Sequence, residues 1–271
     1  MAGERGRGGA DAGQTAAEAP PLLPVLTLTE EELLVLTDDD LGVVPPRLRL
    51  PDTTEGAELV RTVALRALMA RGLVSPLPRA TSILGAEAAG SADGVGWEAA
   101  EPLGLTLSLR ALATAVLGLQ RVLGPRVEEV PAGRADETES TTATRYLHLH
   151  PQIAVIEDVT TDGMHSLLTV LPDRFDDAVS DFIRPPEAVP GTGKPRRLAS
   201  TGDTAVADLL TSLGHPTVLV EAAVLSGPEP VSQMLALGPG GCFRSADSIV
   251  YHPVDPDAAI ADLVRSALGG S

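Results

Sequence analysis

The chain has 271 residues, 44% of them hydrophobic and only 2% aromatic, and a formal net charge of −17 at pH 7. That length and apolar content support one large domain or two small ones, with a core built mainly from Leu, Val, Ile and Ala. An acidic field of this size repels phosphate backbones and anionic lipid, so neither nucleic acid nor a membrane is an expected partner.

The single cysteine, Cys242, permits no intrachain disulfide and no cysteine-based zinc site, which fits a reducing compartment. Residues 1–18 are rich in Gly, Ala and Arg and lack the apolar run of a signal peptide. No apolar stretch approaches the roughly 20 residues of a membrane span. The expected localisation is cytoplasmic.

In chain order, residues 1–20 are small, polar and aperiodic, and a disordered tail is expected. A domain is expected over 21–271. Thr29 followed by Glu32 forms a capping box ahead of Leu33, Leu34 and Leu36, so a short helix starts there. Pro45 and Pro46 stop it, residues 47–50 alternate like a strand, and Pro51 closes that strand. Residues 58–71 read as a helix with Val60, Val63, Ala64, Ala67 and Leu68 on one face, ended by Gly72. Residues 76–101 read as a mobile loop that holds the only tryptophan, Trp97. Residues 103–107 alternate like a strand. Ser108 then caps an expected helix to about residue 123, with Leu112, Val116, Leu119 and Leu123 apolar, before Gly124-Pro125 and a polar loop over 131–143.

The period then changes to two. Residues 145–150, 153–159 and 165–171 read as a three-stranded meander with a tight turn at Asp162-Gly163. Asp173 caps a helix over 174–183, with Phe175, Val179 and Phe182 apolar. Residues 184–200 are a Pro- and Gly-rich connection, read as mobile. A helix from Asp203 or Thr204 runs to Leu213 and ends at Gly214. Strands follow over 217–225, 232–237 and 248–251. Asp255 and Pro256 then open a helix over 257–268.

Two segments align without a gap at an offset of 81, about 152–183 on 233–264. Gln152 falls on Gln233, Pro172 on Pro253, Asp176 on Asp257, Ala178 on Ala259 and Asp181 on Asp262. The spacing is too long for an ordinary solenoid. It predicts an α+β fold: a pseudo-two-fold antiparallel sheet with helices on one side, its halves at about 21–143 and 144–271.

No catalytic constellation emerges. His148 and His150 share a strand face and could supply two ligands of a metal site, with His165, Glu157 or Asp158 as the third. The alternative is a solvated strand face. Gly191-Thr192-Gly193-Lys194 looks like a phosphate loop, but Pro195 stands where Ser or Thr should supply a hydroxyl to magnesium. Gly238-Pro239-Gly240-Gly241 reads as a turn between strands. Nothing around Cys242 supplies a base, and Asp38-Asp39-Asp40 lacks the alternation and glycine of a calcium loop. Lys194, Arg196 and Arg197 form the only local basic cluster. Trp97 could anchor a protein partner, since tryptophan is favoured at interface centres.

Several stretches carry a resemblance. Leu28-Thr29-Glu30-Glu31-Glu32-Leu33, then Gly42-Val43-Val44-Pro45-Pro46-Arg47-Leu48-Arg49-Leu50-Pro51, resemble the start of the EspG family, as does the helix ending in Leu68-Met69-Ala70-Arg71-Gly72-Leu73-Val74. The glycine-rich turn 238–241, the strand after it, Pro253 and the helix 257–268 resemble the end of that family. The resemblance covers most of residues 25–268, with long insertions at 76–101 and 184–200. It implies a pseudo-symmetric antiparallel sheet flanked by helices, no catalytic residues and no cofactor. It also implies a cytosolic actinobacterial chaperone of type VII secretion. The expected function is therefore protein binding, with a secreted protein as the client. The alternatives are a metal protein or enzyme centred on His148, His150 and His165, and a homodimeric regulatory or structural module.

Overall fold

A computed structural model describes residues 23–48, 50–77, 96–123, 141–198, 203–225 and 230–269. The expected tail 1–20, most of the loop 76–101 and most of the polar stretch 131–143 lie outside these residues.

The first strand, β1 (Leu26–Thr29), runs directly into α1 (Glu30–Leu36). The capping box is present: Glu32 N donates to Thr29 Oγ1 at 3.2 Å and Thr29 N to Glu32 Oε2 at 3.0 Å. Residues 47, 48 and 50 are described and lie in no strand, contrary to the alternation. The backbone N–H groups of Arg47 and Leu48 donate instead to the Glu30 carboxylate at 2.8–3.0 Å. A side chain thus takes the donors a ladder would need. Helix α2 (Thr54–Ala70) starts earlier than expected because Thr53 caps it, and Gly72 follows its end at φ +69°. Ala64 and Leu68 are its buried contacts, whereas Val63, expected on the buried face, is 58% exposed. Trp97 lies in β3 (Trp97–Ala99), paired with β2 (Val74–Pro76).

The next two elements exchange types relative to the sequence reading. Residues expected as a strand lie in α3 (Glu101–Ala111), and most of the expected helix is β4 (Ala115–Leu123). Leucines at 103, 105, 107 and 109 imitate a period of two. The buried positions are Leu103, Thr106 and Arg110, which is helical spacing, while Leu105 is 47% exposed. Strand β4 lies between two other strands and is covered on both faces. Residues 115–119 are all buried, so no alternation marks them.

The meander forms as read: β5 (Thr141–Leu149), β6 (Ala154–Val159) and β7 (Met164–Val170), with Gly163 at φ +76° in the last turn. A 3-10 turn at Pro172–Arg174 leads into α4 (Phe175–Ile183). Then come β8 (Arg196–Arg197), α5 (Asp203–Ser212), β9 (Val218–Val224), β10 (Val231–Gly238), β11 (Gly241–Ser245), β12 (Val250–Val254) and α6 (Pro256–Ala267). Strand β11 has no counterpart among the expected strands. Asp255 caps α6 as expected, accepting from Ala258 N at 3.1 Å.

Ten strands form one antiparallel sheet in the order β1-β7-β6-β5-β4-β9-β10-β11-β12-β8. The order is palindromic about the β4–β9 pair. The succession α3-β4-β5-β6-β7-α4 recurs as α5-β9-β10-β11-β12-α6. The repeated units span about 101–183 and 203–267. The offset of 81 holds for the helices, since α4 begins at Phe175 and α6 at Pro256. It fails for the strands: the counterpart of β6 is β11, not β10, because the intervening turns differ in length.

Helices cover both faces of the sheet, not one. Helices α4 and α6 pack together on one face, burying Phe175, Val179, Ile183 and Leu263 against Leu117, Leu147, Val220 and Leu235. On the other face, α1, α2 and α3 bury Leu33, Leu68 and Leu103 over Leu28, Val155 and Leu167, and α5 sets Leu209 and Leu213 over Ala236 and Phe243. Leu219 of β9 packs into the α5 cluster and Leu225, just beyond that strand, into the α1–α3 cluster. Six residues apart on an extended chain, they share one face.

The connection 184–198 is hydrogen-bonded to the sheet. Val189 N donates to Gly238 O at 3.3 Å and Gly191 N to Val254 O at 2.8 Å, and β8 pairs with β12. A Cβ on Gly191 would sit 1.9 Å from Cys242 O. The first glycine of the phosphate-loop look-alike thus allows close backbone packing.

Candidate functional site

Among the described residues, the densest polar cluster lies under α1 and α3, on the β5, β6 and β7 strands. Its hub is Glu157 of β6, which is fully buried. Arg110 of α3 donates from Nε to Glu157 Oε2 at 2.8 Å and from Nη2 to Oε1 at 3.3 Å. His148 Nε2 lies 2.7 Å from Oε2, and His165 Nδ1 lies 2.7 Å from Oε1. Burial alone would push the Glu157 carboxyl up. The His148 and His165 hydrogen bonds and the Arg110 charge outweigh it and hold the group well below the usual carboxylate range. An ionised carboxylate only accepts, so His148 Nε2 and His165 Nδ1 are both donors.

The cluster extends in two directions. Arg110 Nη2 also donates to Leu41 O at 2.8 Å, tying the α1–α2 connection to α3. His165 Nε2 lies 3.8 Å from Glu30 Oε2, whose carboxylate holds the Arg47 and Leu48 amides. Glu157 has both oxygens engaged and no exposed surface, so it cannot serve as a general base. The arrangement is a clamp that locks α3 and the α1–α2 connection to three strands.

The structure brings together only part of the expected histidine set. His148 and His165 meet on Glu157. His150 turns to Leu109 O, 2.7 Å away, and joins neither of them. Among the described residues no group of three or more His, Cys, Asp or Glu is placed to hold a metal ion. Glu157, weighed as a third ligand, is instead the acceptor between the two rings. Arg110 and Glu30 were not singled out from the sequence. The available signal was a carboxylate at 157 between Val155 and Val159, which share its strand face and are buried.

The remaining candidates have structural explanations. Cys242 is buried, and burial pushes its thiol up to about 12, which leaves no thiolate for attack. Asp38 and Asp39 occupy a left-handed turn, Asp39 pairs with Arg61, and Asp40 accepts from Gly42 N at 2.7 Å. Arg196 lies over the Phe243 ring at 6.0 Å. Trp97 packs partly buried against the α1–α3 cluster.

A cavity of about 470 Å³ adjoins the clamp. Leu36, Leu41, Val43, Leu107, Ala113 and Val116 wall it, with His148 and Arg110 beside them.

The fold defines an α+β protein with a pseudo-symmetric antiparallel sheet sandwiched between helices, its buried polar hub serving to join elements. No family model and no curated protein matches the chain. Among solved structures it is similar to the type VII secretion system chaperone EspG5 of Mycobacterium tuberculosis, determined in complex with a PE25-PPE41 dimer. The similarity spans 91% of this chain and 96% of that one, with a TM-score of 0.52 and 11% sequence identity. The fold expected from the EspG resemblance is therefore the fold observed. Among the described residues no helix is long and apolar enough to cross a membrane.

Proposed function

We propose that this chain is a cytoplasmic, non-catalytic chaperone that binds a type VII secretion client and keeps it soluble. The observation that carries the reading is the match of nearly the whole chain to a chaperone fold solved with a protein dimer bound. The site chemistry agrees, because Glu157, the hub of the polar cluster, has both carboxylate oxygens taken by internal hydrogen bonds. The acidic surface supports a protein partner over nucleic acid or lipid.

Trp97 is the residue we assign to partner contact. It sits on the small β2–β3 sheet, outside the ten-stranded one, and is only partly buried. Affinity capture from the native organism tests both assignments. A stoichiometric protein partner is expected, with recovery reduced at least about tenfold in Trp97→Ala, as for an interface anchor. Recovery of no stoichiometric partner would remove the reading, and unchanged recovery with Trp97→Ala would remove the residue assignment alone.

A further inference from the structure

The ten-stranded sheet ends on β1 at one side and on β8 at the other, and the two ends differ. In an antiparallel ladder, hydrogen-bonded and non-bonded residue pairs alternate. At the β1 end, Glu30 N donates to Gly163 O at 2.8 Å, in register with the β1–β7 pairs. The N–H and C=O of Thr27 therefore point away from β7, and Arg71 Nη2 donates to that carbonyl. At the β8 end, Leu198 N donates to Ile249 O at 2.9 Å, in register with the pairs Arg197–Val250 and Arg196–Tyr251. The same alternation turns the N–H and C=O of Arg197 outward. Among the described residues nothing takes either group.

The charges at this end are also unspent. Lys194 and Arg197 are exposed, and neither has an ion-pair partner among the described residues. Arg244 and Arg265, of the neighbouring β11 and α6, both pair with Asp262. Asp247, in the β11–β12 turn, accepts from Ser245 Oγ, Ile249 N and Val250 N at 2.8–2.9 Å. Arg196 turns to the other face, over the Phe243 ring. Two uncompensated cations thus flank an open ladder on a chain of net charge −17. Like charges set opposite each other destabilise a strand pair, which disfavours a second copy joined β8 to β8. A strand that carries carboxylates meets the opposite condition.

We infer that β8 is a docking edge for an extended acidic segment of another protein, which adds to the sheet as a further strand. A glutamate set opposite Arg197 exchanges two backbone hydrogen bonds with it, and the segment's carboxylates face Arg197 and Lys194. Nucleic acid has the charge but no peptide backbone to extend the ladder. The inference uses neither Trp97 nor the secretion client, so its failure and the failure of client capture are separate results.

The test is fluorescence anisotropy of a labelled hexapeptide of alternating Glu and Val, titrated with the full chain to millimolar concentration at low ionic strength. Saturable binding is expected. The same peptide with Lys in place of Glu should bind at least about tenfold more weakly. So should the Glu-Val peptide N-methylated on its Glu amides, which keeps every charge but loses the donor to Arg197 O. The double variant Lys194→Glu, Arg197→Glu should abolish binding while its thermal midpoint stays within a few degrees of the parent, because both positions are exposed. If that variant does not fold, the two control peptides decide. The inference is overturned by the absence of saturable binding, which would leave β8 as an edge guarded by its charges. It is equally overturned if either control peptide binds as well as the parent peptide, or if binding survives the double variant.

Discussion

Arg110 of α3 and Glu157 of β6, 47 residues apart, form a buried ion pair at 2.8 Å with side chains 5% and 0% exposed. Breaking such a pair from one side leaves an uncompensated charge in the interior. Arg110→Ala should therefore cost about 3–5 kcal/mol of unfolding free energy, read from urea denaturation. The double variant Arg110→Met, Glu157→Leu should lose less than Arg110→Ala alone, because neither charge is then stranded. A double variant that loses as much as the two single changes summed would contradict the clamp.

The same pair sets an acid limit. The Glu157 carboxyl is depressed in the folded state, so the native chain holds its proton less tightly than the unfolded one. That stability is present above the unfolded pKa, near ~4.3, and drains as pH falls below it toward the folded value. Glu157→Gln should flatten the dependence of stability on pH below about 5. Chemical denaturation at several pH values reads this directly, with the parent losing stability more steeply than the variant.

At Gly191 the backbone passes so close to Cys242 O that a methyl group has no room. Gly191→Ala should destabilise by about 3 kcal/mol or more, since backbone rather than a flexible side chain must move. Lys194→Ala, in the same phosphate-loop look-alike, should stay within about 0.5 kcal/mol of the parent. Thermal unfolding of the two variants separates a packing glycine from a ligand loop.

Local signals were legible in the sequence. The Thr29–Glu32 box, the Asp255-Pro256 start and the period-two run from Arg145 to Leu171 each involve neighbours a few residues apart, and each formed. The α3–β4 exchange was not legible, because residues 115–119 of β4 are all buried and Leu112 at the end of α3 with Val116, Leu119 and Leu123 of β4 imitates helical spacing. The helix repeat was readable at 81 residues, whereas the strands drifted as their turns changed length. Of the site, His148 and His165 were named, but the reason they meet lies in Glu157, and its counter-charge Arg110 comes from α3, whose residues 103–107 were read as a strand. His150, paired with His148 by the strand period alone, is drawn off by Leu109 O.

The Thr29 cap joins the first strand to the clamp, since Glu30, which follows it, positions the 47–48 backbone beside His165. Thr29→Ala should cost about 1 kcal/mol by removing the side-chain acceptor for Glu32 N, measured by urea denaturation. Thr29→Ser should restore most of that loss.

The proposed function requires that this chain hold a secreted protein client in a soluble complex. The most direct measurement is co-expression with the client recovered by capture, or with a PE-PPE dimer of the same organism, followed by light scattering of the purified sample. A single species is expected whose mass equals one chain plus its client, with a client that precipitates when the chain is omitted. A chain that elutes alone, with client solubility the same in its presence and absence, would contradict it.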